Sequence, residues 1–252
     1  MSNEINIISI ENLYAGYNGK HVLNGLNLFL QKNEICCVIG EEGAGKSTLL
    51  RAITHQLKSK GGIIFKGINL GKVQTAQMLK HGIDFIVQGG NILKSFTVEE
   101  HICLALSARS EAEKSIVWKE IEQTFPKMIA LKKQVAGRLS GGERMILSIV
   151  CVMATDADFI VMDEPTAGLA PETCKVIKEF LLQMKEKRDK TILLIEHNYD
   201  FAFEVADSVV TLKGGTLSEK YYKDSFHQPD FVDTKLYETA ISLTQKINKD
   251  EK

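Results

Sequence analysis

Short apolar runs rich in β-branched residues recur along the chain, at 35–39, 63–65, 84–87, 159–162, 191–195 and 208–212, and each predicts a strand. Several are apolar at consecutive positions instead of alternating, so both of their faces must be covered. That pattern predicts an α/β fold with a mainly parallel sheet enclosed by helices. After Gln88 the periodicity changes: residues 97–106 and 111–125 read as helices, and Thr97 with Glu100 forms a capping-box pattern at the start of the first. The stretch 89–138 therefore reads as an all-helical lobe inserted between two parts of one core, 1–88 and 139–227. Residues 228–252 read as an amphipathic C-terminal helix.

The 252 residues suit one large domain with an appendage. Lys and Arg number 31 against 32 Asp and Glu, a net charge of −1, with 25% charged and 44% hydrophobic residues. This composition excludes a disordered chain and leaves no electrostatic footprint for nucleic acid. The longest apolar stretch, 145–154, is interrupted by Ser148 and is far shorter than a membrane span. The opening MSNEINIISIEN has neither the basic nor the apolar part of a secretory signal, so residence in the cytosol is expected. Five cysteines, Cys36, Cys37, Cys103, Cys151 and Cys174, show no CxxC spacing and read as reduced core residues.

Three constellations carry chemistry. Gly40, Glu41, Glu42, Gly43, Ala44, Gly45, Lys46 and Ser47 fit G-x-x-x-x-G-K-[ST] between a predicted strand and a predicted helix. Glycines there let main-chain N–H groups curl around an anion at the positive end of a helix. Lys46 then supplies charge to β- and γ-phosphates, Ser47 a hydroxyl for Mg²⁺, and Thr48 continues the cradle. The second constellation is Asp163 and Glu164, adjacent acids at the carboxyl end of an apolar strand, where ligands bind in an open α/β sheet. Asp163 can hold Mg²⁺ while Glu164 deprotonates a water attacking the γ-phosphate. Finally, in Leu-Ser-Gly-Gly-Glu at 139–143, Ser140, Gly141 and Gly142 open a helix and offer a second anion site.

In this order, with Gln88 in DFIVQGG, FIVMDEP and His197 in IEHN, the motifs resemble those of the ATP-binding cassette family over nearly all of residues 8–215. The resemblance implies a P-loop NTPase core of RecA type, with an antiparallel N-terminal β part and an inserted helical subdomain. It implies ATP and Mg²⁺ as ligands, with Tyr17 stacked on adenine, Gln88 ligating Mg²⁺ and sensing the γ-phosphate, and His197 bonded to that phosphate. It further implies that two cassettes, identical or related, pair head to tail, so that Ser140 of one closes on the phosphates held by Lys46 of the other. Membrane permease subunits would then hold the pair at the inner face of the cell membrane.

The stretches VQGGNILKSFTVEEH and DEPTAGLAPE are most similar to ATPase subunits of the branched-chain amino acid and urea importer class. Ala170 stands where many cassettes carry Asp, Cys151 where Arg is usual, and Gly90 where this branch commonly has Arg. A soluble cassette ATPase serving an assembly process, such as iron–sulfur cluster delivery, is the alternative.

Overall fold

The computed structural model describes residues 6–225, so the helix predicted over 228–252 lies outside the described residues. Two long strands, β1 (Asn6–Tyr17) and β2 (Lys20–Gln31), precede β3 (Ile35–Ile39) and helix α1 (Lys46–Ile53). Then come β4 (Ser59–Phe65), β5 (Ile68–Asn69) and β6 (Ile83–Ile86). A helical stretch contains α2 (Val98–Ala105), α3 (Glu111–Thr124), α4 (Pro126–Ala130) and α5 (Gly141–Thr155). The remainder alternates β7 (Phe159–Asp163), α6 (Pro171–Arg188), β8 (Thr191–Glu196), α7 (Tyr199–Val205) and β9 (Ser208–Lys213). It ends in the short strands β10 (Thr216–Leu217) and β11 (Tyr221–Tyr222).

Strands β9, β3, β8, β7 and β6 lie side by side in parallel, with β10 and β11 antiparallel against β9. The other sheet, ordered β2-β1-β4-β5, is antiparallel. Side-chain alternation along the parallel strands feeds two cores. Cys37, Ile39, Ile160, Met162, Ile192 and Leu194 pack towards the helices α2 to α7. Cys36, Val38, Phe159, Val161, Leu193 and Ile195 pack towards α1 and the antiparallel sheet. Burial on both sides explains the unbroken apolar runs.

Two details depart from the sequence reading. The insertion is not helical throughout: residues 89–96 form turns, and Thr97 pairs with Val135 in an isolated antiparallel bridge. Glycines 89 and 90 both have positive φ, which a right-handed helix cannot run through. Among the cysteines, Cys36 and Cys37 are buried, but Cys103 is exposed because it lies on the outer side of α2. Gly90, at the position where Arg is common, is packed so closely that a Cβ would lie 2.6 Å from Ser148 Oγ.

Asp84 on β6 places its carboxyl beside Thr155, whose hydroxyl donates to it at 2.7 Å, and Phe85 N donates to it at 2.8 Å. Burial pushes the Asp84 carboxyl up, and these two bonds oppose that. Folding therefore favours its protonated form: the associated stability is complete below the ordinary value near 3.8 and is lost as pH rises through the raised value. Asp84→Asn removes this dependence, since an amide can accept from Phe85 and donate to Thr155. We expect the melting temperature of the variant to gain on that of the parent as pH is raised from 4 to 7. A constant difference across that range would contradict it.

Candidate active site

Gly40, at the exit of β3, approaches β9 so closely that a Cβ would meet Leu212 O at 2.4 Å, and Gly45 turns into α1 with φ of 106°. A side chain at Gly45 would also strike Val22 at 2.9 Å, so both positions require glycine. The loop is held by its own main chain: Ala44 N donates to Glu41 O at 3.2 Å. Lys46 is 6% exposed and folds back, donating from Nζ to Gly40 O at 2.7 Å and Glu41 O at 3.0 Å.

Because β3, β8, β7 and β6 are adjacent and parallel, the loops at their carboxyl ends meet. Lys46 Nζ lies 3.8 Å from Glu164 Oε1, Gln88 Nε2 donates to Glu164 Oε2 at 2.9 Å, and His197 Nδ1 is 3.7 Å from the same oxygen. These residues, with Gly40, Gly43, Gly45, Ser47 and Thr48, line one cavity of about 720 Å³. Glu164 adopts φ of 48°, a left-handed conformation costing about 1–2 kcal/mol for a residue with a Cβ. Its N–H donates to Ile195 O at 2.8 Å, which ties this turn to β8.

Behind the cavity, Asp163 is 4% exposed and accepts a hydrogen bond from the Ser47 hydroxyl. Burial pushes its carboxyl up, the Ser47 bond opposes this, and Oδ1 has no partner. A hydroxyl and a buried carboxylate with one free oxygen fit a hard divalent cation that keeps waters and phosphate oxygens as its other ligands. Among the described residues no cluster of three His, Cys, Asp or Glu could hold a metal alone.

Tyr17, Ser140, Gly141 and Gly142 are not among the residues lining this cavity. Tyr17 is 41% exposed, and Arg51 Nη1 donates to its hydroxyl at 3.1 Å. Ser140 caps α5, accepting from Glu143 N at 3.2 Å, while Glu143 Oε2 accepts from Ser140 N at 2.9 Å. Ser140 and Gly142 line a separate cavity of about 350 Å³ with Phe125, Met128 and Val176. The capping bond uses the oxygen of Ser140, so its hydroxyl proton stays available to an external acceptor. Ala170 leaves α6 without a side-chain cap, and Pro171 at the first helical position lacks the N–H that a cap would serve.

Sequence reading passed over three contributors. Glu196 is fully buried and accepts from Thr166 Oγ1 at 2.6 Å, Thr166 N at 3.1 Å and His197 N at 3.1 Å. It thereby fixes the segments that follow Glu164 and precede His197; its place directly before His197 was the available signal. His101 accepts at Nε2 from Leu93 N, 3.0 Å away, while Nδ1 lies 2.7 Å from Thr97 O. This anchors the turns that follow Gln88. Tyr199, two residues after His197, also lines the larger cavity.

The sequence profile of the family described as ABC transporter matches residues 23–167. A probable branched-chain amino acid transport ATP-binding protein, LivF, of Archaeoglobus fulgidus is 32% identical over 207 residues, covering 82% of this chain and 88% of LivF. The methionine import ATP-binding protein MetN of Vibrio cholerae is 33% identical over 211 residues, 82% of this chain, and the match spans 61% of MetN. The structure of an ATP binding subunit of an ABC transporter superimposes with a TM-score of 0.82 at 26% identity, covering 94% of this chain and 99% of the other.

Proposed function

Because the chain belongs to the ABC transporter family and is therefore an ATPase, we propose that it energises a membrane importer of branched-chain amino acids or a similar small solute. The observation that carries this reading is the meeting of Lys46, Gln88, Glu164 and His197 in one cavity while Ser140 opens on another. A triphosphate in the larger cavity is covered on one side only by its own chain. The serine-capped start of α5 on a second cassette supplies the missing side, which gives an ATP-dependent head-to-tail dimer.

In this reading the main-chain amides of Gly43, Ala44 and Gly45, with Lys46 and Thr48, bind the phosphates, and Tyr17 stacks on the adenine. Ser47, Asp163 and Gln88 would hold Mg²⁺, which when bound would neutralise charge on the phosphates. Glu164 takes the proton of the attacking water, and His197 donates to the γ-phosphate. Ser140, Gly141 and Gly142 of the second cassette complete the enclosure. Loss of the γ-phosphate then removes the charge that holds the two surfaces together. Gln88, tethered through the turns anchored by His101, passes that change to the permease. No helix among the described residues is long and apolar enough to cross a membrane; in this reading docking on permease subunits holds the chain at the inner membrane face.

Cargo is tested by purifying the chain with its membrane subunits and screening solutes for stimulation of ATP turnover. Leucine, isoleucine or valine should stimulate. Stimulation by methionine alone would redirect the cargo towards the chemistry named for MetN, and a native complex without membrane protein would favour the assembly ATPase. Ser140→Ala separates cap from enclosure. It should cost about 1 kcal/mol of stability as a lost N-cap, keep nucleotide binding by the isolated chain, and abolish ATP-dependent dimers in sedimentation. Dimers at the parental level would overturn the head-to-tail arrangement.

A further inference from the structure

The cavity assigned to the triphosphate is lined by the wrong charge for so anionic a ligand. Glu41, Glu42 and Glu164 are among its lining residues, with a single ammonium, that of Lys46. Glu41 and Glu42 are exposed, and neither pairs with a basic side chain among the described residues. The turn does not need them: Ala44 N and Lys46 Nζ bond to the main-chain oxygen of Glu41, leaving both carboxylates outside the loop's own hydrogen bonding. Tyr199 is pushed up by burial first and by the Glu41 charge second, and its Oη is buried without a partner.

Resting on the reading of this cavity as an ATP site, we propose that Glu41 and Glu42 are specificity-determining residues that select nucleotide already neutralised by a divalent cation and reject the free tetra-anion. Repulsion scales with ligand charge, so two fixed carboxylates act about twice as strongly on ATP⁴⁻ as on its Mg²⁺ complex. Across several ångströms of wetted surface, each pair of unit charges changes affinity by roughly two- to threefold before screening. Lys46 and the amide dipoles at the start of α1 attract both forms, and the acid pair weights that attraction towards the less charged one.

The test is the dissociation constant of ATP measured with chelator and with excess Mg²⁺, over a range of salt, for the full chain and for Glu41→Gln/Glu42→Gln. The ratio of the metal-free to the Mg²⁺ constant should fall about tenfold in the double variant. The salt response should also shrink: salt tightens metal-free ATP on the parent by screening repulsion, and does so less on the variant, where Glu164 alone opposes Lys46. An unchanged ratio with an unchanged salt response overturns the proposal. A parent that binds neither form overturns the ATP-site reading instead. If thermal melting shows that the double variant does not fold, each single variant should lower the ratio by about threefold, and no change in either overturns the proposal.

Discussion

Glu164→Gln is expected to lower ATP turnover by about 10²- to 10⁴-fold, the range ascribed to a positioned general base, while nucleotide stays bound. The substitution keeps size and polarity, so the left-handed turn at φ 48° and the bond from its N–H to Ile195 O persist. An amide oxygen at position 164 can still accept from Gln88 Nε2, now 2.9 Å from the carboxylate. What is lost is basicity towards water and one negative charge 3.8 Å from Lys46. Removing that charge also lowers the repulsion of a bound γ-phosphate, so binding should tighten as hydrolysis stops. Sedimentation with ATP should therefore find a dimer that persists in the variant and decays in the parent. Hydrolysis at the parental rate would transfer the role of base to another group, and His197, 3.7 Å from Glu164, would be the first to replace.

The parts of this site carried by local chain chemistry were readable without coordinates. The runs at 35–39 and 159–162 became β3 and β7 because consecutive apolar residues suit strands covered on both faces. The caps at Thr97 and Ser140 formed because a hydroxyl and a carboxylate three residues apart satisfy free amides at a helix start. Ser110 with Glu113 carries the same signal at the start of α3. By contrast, β1 and β2 extend for 12 residues each, and register shifts such as the one between Ile10 and Leu13 break the alternation by which a half-buried strand is recognised. Glu196 was passed over for a different reason. Its role comes from Thr166, 30 residues away, which is brought beside it only when β7 and β8 pair. The bond from Leu93 to His101 likewise depends on how 89–96 folds back on α2, and no periodicity records that.

Lys46→Ala should have the opposite signature to the Glu164 variant, with occupancy lost first and turnover lost as a consequence. Lys46 is the cavity's one ammonium, held 6% exposed by the carbonyls of Gly40 and Glu41. On binding it has only to exchange these acceptors for phosphate oxygens, so little ordering entropy is spent. A charge-assisted hydrogen bond of this kind contributes about 1.5–3 kcal/mol, which corresponds to roughly 10- to 150-fold in affinity. The true loss should lie at the upper end, because truncation leaves Glu41, Glu42 and Glu164 without a counter-charge against an anionic ligand. Folding should be modestly affected: the carbonyl of exposed Glu41 can turn to water, whereas the buried Gly40 carbonyl loses its donor. Equilibrium dialysis of the two variants side by side distinguishes the roles. Retained ATP on Glu164→Gln and empty sites on Lys46→Ala are expected at the same nucleotide concentration. Equal occupancy would mean that the main-chain cradle alone binds the phosphates and that Lys46 acts only during the chemical step.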